Sequence, residues 1–157
     1  MVSKFFKAAV LLMTFLFSSP FIAGAQPAAH AYKGIEQTLL QGVNDYRKSI
    51  GLKPLRWNIY LSNVAEKHSR DMATKKAPYG NEGFKERTDK IYETLKPVYG
   101  FAENIDSGRV GAKDVITDWL NSTKHKKNLE GDYNYTGIGI VKSADSNMYI
   151  TEIFILQ

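Results

Sequence analysis

This sequence predicts an α+β domain, with helices flanking an antiparallel sheet in three layers. Two observations carry that expectation. Apolar residues recur every three or four positions from Ile35 to Met72 and again from Val115 to Leu120, the period of a helix with one buried face. The C-terminal stretch is different. Its two β-branched and aromatic runs, Tyr135 to Lys142 and Asn147 to Leu156, are joined by the polar Ser143-Ala144-Asp145-Ser146, which suits a hairpin.

At the N-terminus, Lys4 and Lys7 precede an almost wholly apolar run from Ala8 to Phe21, too short and wrongly flanked for a membrane span. It reads as a cleavable export leader. Small residues offer cleavage after Ala23-Gly24-Ala25 or, alternatively, after Ala29-His30-Ala31. The expected organisation is a leader over 1–25, a linker over 26–34 and one domain over 35–157. Within it, Ile35, Leu39, Val43, Tyr46 and Ile50 mark a first helix, stopped by Gly51. Leu52 to Trp57 reads as a turn around Pro54. A second helix buries Leu61, Val64, Ala65, His68 and Met72, and turns Asn63, Glu66, Lys67 and Arg70 to solvent. Ala77-Pro78-Tyr79-Gly80 breaks the pattern. A third helix follows from Gly83 to about Leu95, an extended segment from Pro97 to Ile105, and a fourth helix from Lys113 to Asn121.

The chain of 157 residues loses 25 with the leader, leaving enough for one packed core but hardly two. It contains no cysteine, so no thiolate serves as nucleophile, zinc ligand or redox centre, and no disulfide staples the fold. Loss of Lys4 and Lys7 lowers the net charge from +5 to +3. The basic residues are scattered except for Lys75-Lys76 and for Lys124, Lys126 and Lys127 around His125, a run that reads as a solvated helix end. So mild an excess suits anionic envelope surfaces and makes no case for nucleic acid.

Several separated segments together resemble the CAP superfamily, the cysteine-rich secretory, antigen 5 and pathogenesis-related 1 proteins with an SCP-like domain, in a cysteine-free bacterial form. They are Leu40 to Arg47, then Gly51-Leu52-Lys53-Pro54-Leu55-Arg56-Trp57, then His68 to Ala73. Gly80-Asn81-Glu82-Gly83-Phe84 with Glu86-Arg87 follows, then Ala102-Glu103-Asn104-Ile105, then Trp119 to Ser122 with His125 and Asn128, and finally the closing β-runs. Each segment alone is weak, but their common order over nearly the whole domain is specific. The resemblance implies an α-β-α sandwich, in agreement with the reading from periodicity.

In that family a central cleft gathers two histidines with acidic or hydroxyl partners. By motif, the resemblance implies cleft positions at Glu103, Ser122 and His125, with Asn81 standing where the pattern has its other histidine. That exchange leaves Glu103 and His125, with Glu82 as a substitute, as the candidate zinc ligands, too few strong donors for a tight site; no cofactor is therefore expected. Ser122, His125 and Glu103 are the right residue types for acyl transfer, and are the candidate catalytic residues of an alternative hydrolase reading on peptide or envelope substrates. Nothing in the sequence resembles a strained nucleophile turn. His68 reads as a satisfied core histidine, and Trp57 and Trp119 as core anchors. Asn121-Ser122-Thr123 and Asn134-Tyr135-Thr136 match the glycosylation pattern, which carries meaning only in a eukaryotic secretory pathway.

Family members are associated with peptide, lipid or sterol binding and occasionally with proteolysis, so the fold does not choose among them. The expectation is an extracytoplasmic, monomeric, non-enzymatic module that recognises an extracellular or envelope ligand through a cleft of Asn81, Glu103, Ser122 and His125. An amide at position 81 donates and accepts hydrogen bonds at any pH, which suits recognition better than proton transfer. Lipid or sterol binding is a further alternative.

Overall fold

The computed structural model describes residues 30–109 and 111–157; the expected leader and the linker as far as Ala29 lie outside the described residues. In chain order the elements are α1 (Lys33–Ser49), β1 (Arg56–Trp57), α2 (Ile59–Ala73), α3 (Phe84–Leu95), β2 (Gly100–Gly108), α4 (Ala112–Asn121), α5 (Thr123–Leu129), β3 (Tyr135–Lys142) and β4 (Met148–Leu156). Strands pair in the order β1-β3-β4-β2. β3 and β4 form the expected hairpin, and β2 runs antiparallel to β4 on its far side. Helices cover both faces, so the three-layer α-β-α arrangement holds.

Three local readings change. Arg56 and Trp57, read as part of a turn, pair in parallel with Tyr135 and Thr136, through Arg56 N–H to Asn134 O at 3.0 Å and Asn58 N–H to Thr136 O at 2.8 Å. Two residues are too few to show a period of two. The extended segment expected from Pro97 begins at Gly100 and continues to Gly108, since Pro97 has no N–H to give the ladder. The basic run at Lys124–Lys127 belongs to a separate short helix, α5. Ser122, in extended conformation between α4 and α5, ends one helix and caps the next.

Along β4 the side chains alternate between two cores. Ile150 and Phe154 join Leu39, Val43, Trp119 and Leu129 from α1, α4 and α5, whereas Ile153 and Ile155 meet Leu61 and Ala65 of α2 and Ile91 of α3. α2 lies unusually close to the sheet. A Cβ at Gly137 would stand 2.2 Å from the backbone nitrogen of Ser62, and one at Gly139 would stand 2.0 Å from that of Glu66. Only glycine permits this backbone contact. It positions Ser69 to donate its hydroxyl to Gly139 O or Thr151 Oγ1, each at 2.9 Å.

On the opposite face two buried charged residues are handled differently. Arg47 of α1 is 2 % exposed and ties two segments of chain to α1, donating to Lys53 O and to Leu129 O, Gly131 O and Tyr133 O at 2.7 to 3.2 Å. Glu152 of β4 is fully buried, and only its Oε1 has a partner, the Thr136 hydroxyl at 2.9 Å. Burial pushes its pKa up to about 8, against smaller opposing pulls from Thr136 and Arg47. Between the ordinary carboxyl value and that raised one, the folded chain holds a proton that the unfolded chain has released, so stability falls as pH rises. Glu152→Gln should remove this slope. Urea midpoints at pH 5 and pH 8 test it: the variant should gain on the wild type at pH 8, and an unchanged difference between the two pH values would contradict the assignment.

Candidate functional site

β2 carries the site on a covered edge. Asn128 of α5 donates to Glu103 O at 3.1 Å, and the Trp119 indole N–H donates to Ile105 O at 3.4 Å, so side chains from α4 and α5 occupy carbonyls that an added strand would otherwise take. Asn104, facing the same helices, donates to His125 O at 3.1 Å and accepts from Asn128 at 2.8 Å. These bonds fix how far Glu103, on the opposite face of β2, projects towards α3.

The Glu103 side chain is 1 % exposed and accepts three hydrogen bonds. Arg87 of α3 grips it in bidentate fashion, Nε to Oε2 at 2.8 Å and Nη2 to Oε1 at 2.6 Å, while Asn81 Nδ2 donates to Oε1 at 2.9 Å. Arg87 Nη1 donates in addition to Glu82 O at 2.7 Å and to His68 Nδ1 at 3.1 Å. Gly83 makes room for this. It takes a left-handed φ of 73° where α3 begins, and a Cβ there would lie 3.2 Å from Arg87 Nη1.

His68 of α2 is buried and fully engaged. Its Nε2 donates to Gly80 O at 2.9 Å, which leaves Nδ1 unprotonated to accept from Arg87. Burial first, and then the Arg87 charge, hold its pKa below the ordinary imidazole value, with Glu103 pulling the other way. His68 is thus a neutral strut between the Gly80 turn and Arg87. The core-histidine expectation is met in burial, yet the residue also braces the site.

Of the four expected cleft residues, Asn81 and Glu103 touch directly. Ser122 and His125 do other work. The Ser122 hydroxyl faces His125 N at 3.5 Å as the α5 cap, and among the described residues the His125 ring makes no hydrogen bond. That ring packs edge-on to Trp119 with centroids 6.5 Å apart, and burial followed by the Lys124 charge lowers its pKa. Glu103 therefore does not orient His125. Arg87, which lies in one of the family segments, dominates the site although its residue type and position alone do not mark it as a site residue.

A cavity of about 300 Å³ opens beside this network, lined by Asn81, Phe84, Phe101, Glu103, Lys124 and Asn128. Lys124 Nζ stands 3.2 Å from Asn81 Oδ1 at its rim. On the other side of Arg87 a second cavity of about 310 Å³ is bordered by His68 and Gly83. A further cavity of about 560 Å³ lies apart from the site, between α1 and Trp57 and Ile59.

The donor set at Glu103 does not suit zinc. Both carboxylate oxygens already accept from a guanidinium whose fixed charge would repel a dication, and Asn81 offers only an amide. The Glu82 side chain is exposed, and its carbonyl is bonded to Arg87. Among the described residues no group of three or more His, Cys, Asp or Glu side chains is arranged to hold a metal ion.

The sandwich, the covered β2 edge and the Glu103 cleft define a CAP-type domain. A model of the Cysteine-rich secretory protein family, CAP, matches residues 40–156, and the chain belongs to that family. The uncharacterised protein YkwD of Bacillus subtilis is 31 % identical over 124 residues, covering 74 % of this chain but 46 % of its own length. The chain thus spans less than half of that relative. Among solved structures, an outer surface protein from Borrelia burgdorferi superposes with a TM-score of 0.70 at 20 % identity, over 84 % of this chain and 99 % of that one. An extracellular protein containing an SCP domain from Bacillus anthracis gives 0.67 at 24 % identity, over 80 % and 41 %. At such identities the likeness carries the fold alone. No helix among the described residues is long and apolar enough to cross a membrane.

Proposed function

We propose that this chain is exported and acts as a non-enzymatic recognition module, taking a carboxylate-bearing ligand of the cell envelope into the cleft beside Asn81 and Lys124. The observation that carries this reading is the occupancy of Glu103. A carboxylate that accepts twice from the Arg87 guanidinium and once from Asn81 has three of its roughly four lone-pair sites occupied, and none of these bonds goes to the His125 imidazole. Ser122 as a helix cap and His125 against Trp119 lack the mutual geometry of nucleophile and base. What the cleft presents instead is an ammonium, an amide and the rings of Phe84 and Phe101. An anionic head on a partly apolar body complements that set. The names of the Borrelia and Bacillus anthracis neighbours, an outer surface protein and an extracellular one, are consistent with export.

Sedimentation with purified peptidoglycan sacculi tests the reading. Lys124→Glu should weaken binding about tenfold, the loss of one charge-assisted contact, while His125→Ala leaves binding intact. Peptidase or esterase turnover that vanishes in His125→Ala, with sacculus binding indifferent to Lys124, would establish a hydrolase instead.

A further inference from the structure

A second cluster of titratable groups lies away from the cleft, where the described chain begins. Two carboxylates that the sequence placed differently come together here. Glu66, assigned to the polar face of α2, is 6 % exposed, and Glu36 of α1 is 1 % exposed. Both turn towards His30. The His30 Nδ1 lies 3.3 Å from Glu36 Oε1 and 3.5 Å from Glu66 Oε2, and its Nε2 lies 3.0 Å from Asn63 Oδ1. The backbone of His30 is engaged as well: its N–H donates to Glu66 Oε2 at 2.9 Å, and its carbonyl accepts from Lys33 N at 3.1 Å at the entry to α1.

Residue 30 also has a φ of 55°, a left-handed conformation that a histidine adopts at a cost and keeps only where its surroundings determine it. With oxygen acceptors facing both ring nitrogens, a neutral imidazole would set a lone pair against one of them, whereas an imidazolium donates on both sides.

We infer that His30 is a clasp, the counter-charge that holds α1 to α2 through Glu36, Glu66 and Asn63, and that the working chain therefore retains it, its leader being removed upstream of His30 and not at Ala29-His30-Ala31. Cleavage after Ala31 would leave Glu36 buried with the only side-chain partner it has among the described residues gone. Burial works against the charged ring, but the bonds to Asn63 and Glu36 and the charges of Glu36 and Glu66 outweigh it and raise the pKa of His30. The other charges nearby are Arg70, paired with Glu66 from the same helix, and Lys33, which shares the rim of the 560 Å³ cavity with His30. Lys142 of β3 borders a small cavity beside Glu66. The inference is independent of the ligand read into the Glu103 cleft.

A raised imidazole pKa contributes stability that is present below the ordinary histidine value and lost as pH rises through the raised one. The charge is tested with His30→Asn, because asparagine tolerates the left-handed backbone and removes only the titrating group. The variant should melt about 4 °C or more below the wild type at pH 6.5, with the gap closing by pH 9. A second variant, His30→Lys, should keep its margin over His30→Asn at pH 9. A gap independent of pH, or no gap, would overturn the clasp. Processing is read from the intact mass of the protein exported with its own leader. A chain that starts between Gln26 and His30 supports the inference, and one that starts at Tyr32 or keeps the leader refutes it.

Discussion

Gly139→Ala is expected to destabilise the fold by about 3 kcal/mol or more, the upper range for overpacking a site with no room to relax. The added methyl would fall 2.0 Å from Glu66 N and 2.3 Å from Glu66 Cα, and a helix backbone cannot swing aside as a flexible side chain can. α2 would have to lift off β3, breaking the Ser69 hydrogen bonds and opening the Leu61 and Ala65 core. Urea denaturation followed by circular dichroism measures the loss. Gly34→Ala on α1, where nothing lies within 4 Å of the added carbon, is the control and should be neutral or slightly stabilising. Comparable effects at both positions would mean that close approach to α2 does not govern Gly139.

Arg87→Ala should be at least as damaging, at about 3–5 kcal/mol, since it strands the buried Glu103 carboxylate without its main partner. It also frees His68 Nδ1 and Glu82 O. Thermal unfolding should show the loss, and the double variant Arg87→Leu with Glu103→Met should recover much of it, because a missing pair costs less than a stranded charge. If the single variant kept wild-type stability, the network would be a surface feature, and the argument that Glu103 is unavailable for catalysis would fail with it. Sacculus binding by a folded Glu103→Gln variant separates the two roles. A structural Glu103 leaves recognition near its original strength once the domain is folded.

Helices α1, α2 and α4 were legible because each has one buried face, so Leu39, Val43, Leu61, Ala65 and Trp119 recur at the helical period and are buried in the structure. The hairpin was legible for the same reason, from the β-branched residues of β3 and β4. Asn81 and Glu103 were found as neighbours only because each sits in a recognisable family segment; nothing local in either segment points to the other. Arg87 is not legible as a site residue in the sequence, because a lone arginine on a short helix has the appearance of a solvated one. It becomes a site residue only when Gly83 lets its guanidinium fold back and β2 brings Glu103 opposite. Glu66 misled for a related reason. Its place on the polar face of α2 is right, but His30 arrives over that face and buries it.

By itself, then, the sequence determined the class of fold, most of its helices and the closing hairpin, and the absence of thiol chemistry. These follow from local periodicity and residue type, which the chain displays in one dimension. Tertiary structure alone decided which charges are paired: Glu103 with Arg87, Glu36 and Glu66 with His30, and Glu152 with no more than the Thr136 hydroxyl. Partners of this kind lie 6 to 36 residues apart, 16 for Arg87 and Glu103 and 36 for His30 and Glu66. The energy of a buried charge depends on what shares its low-dielectric surroundings, and no local pattern records that.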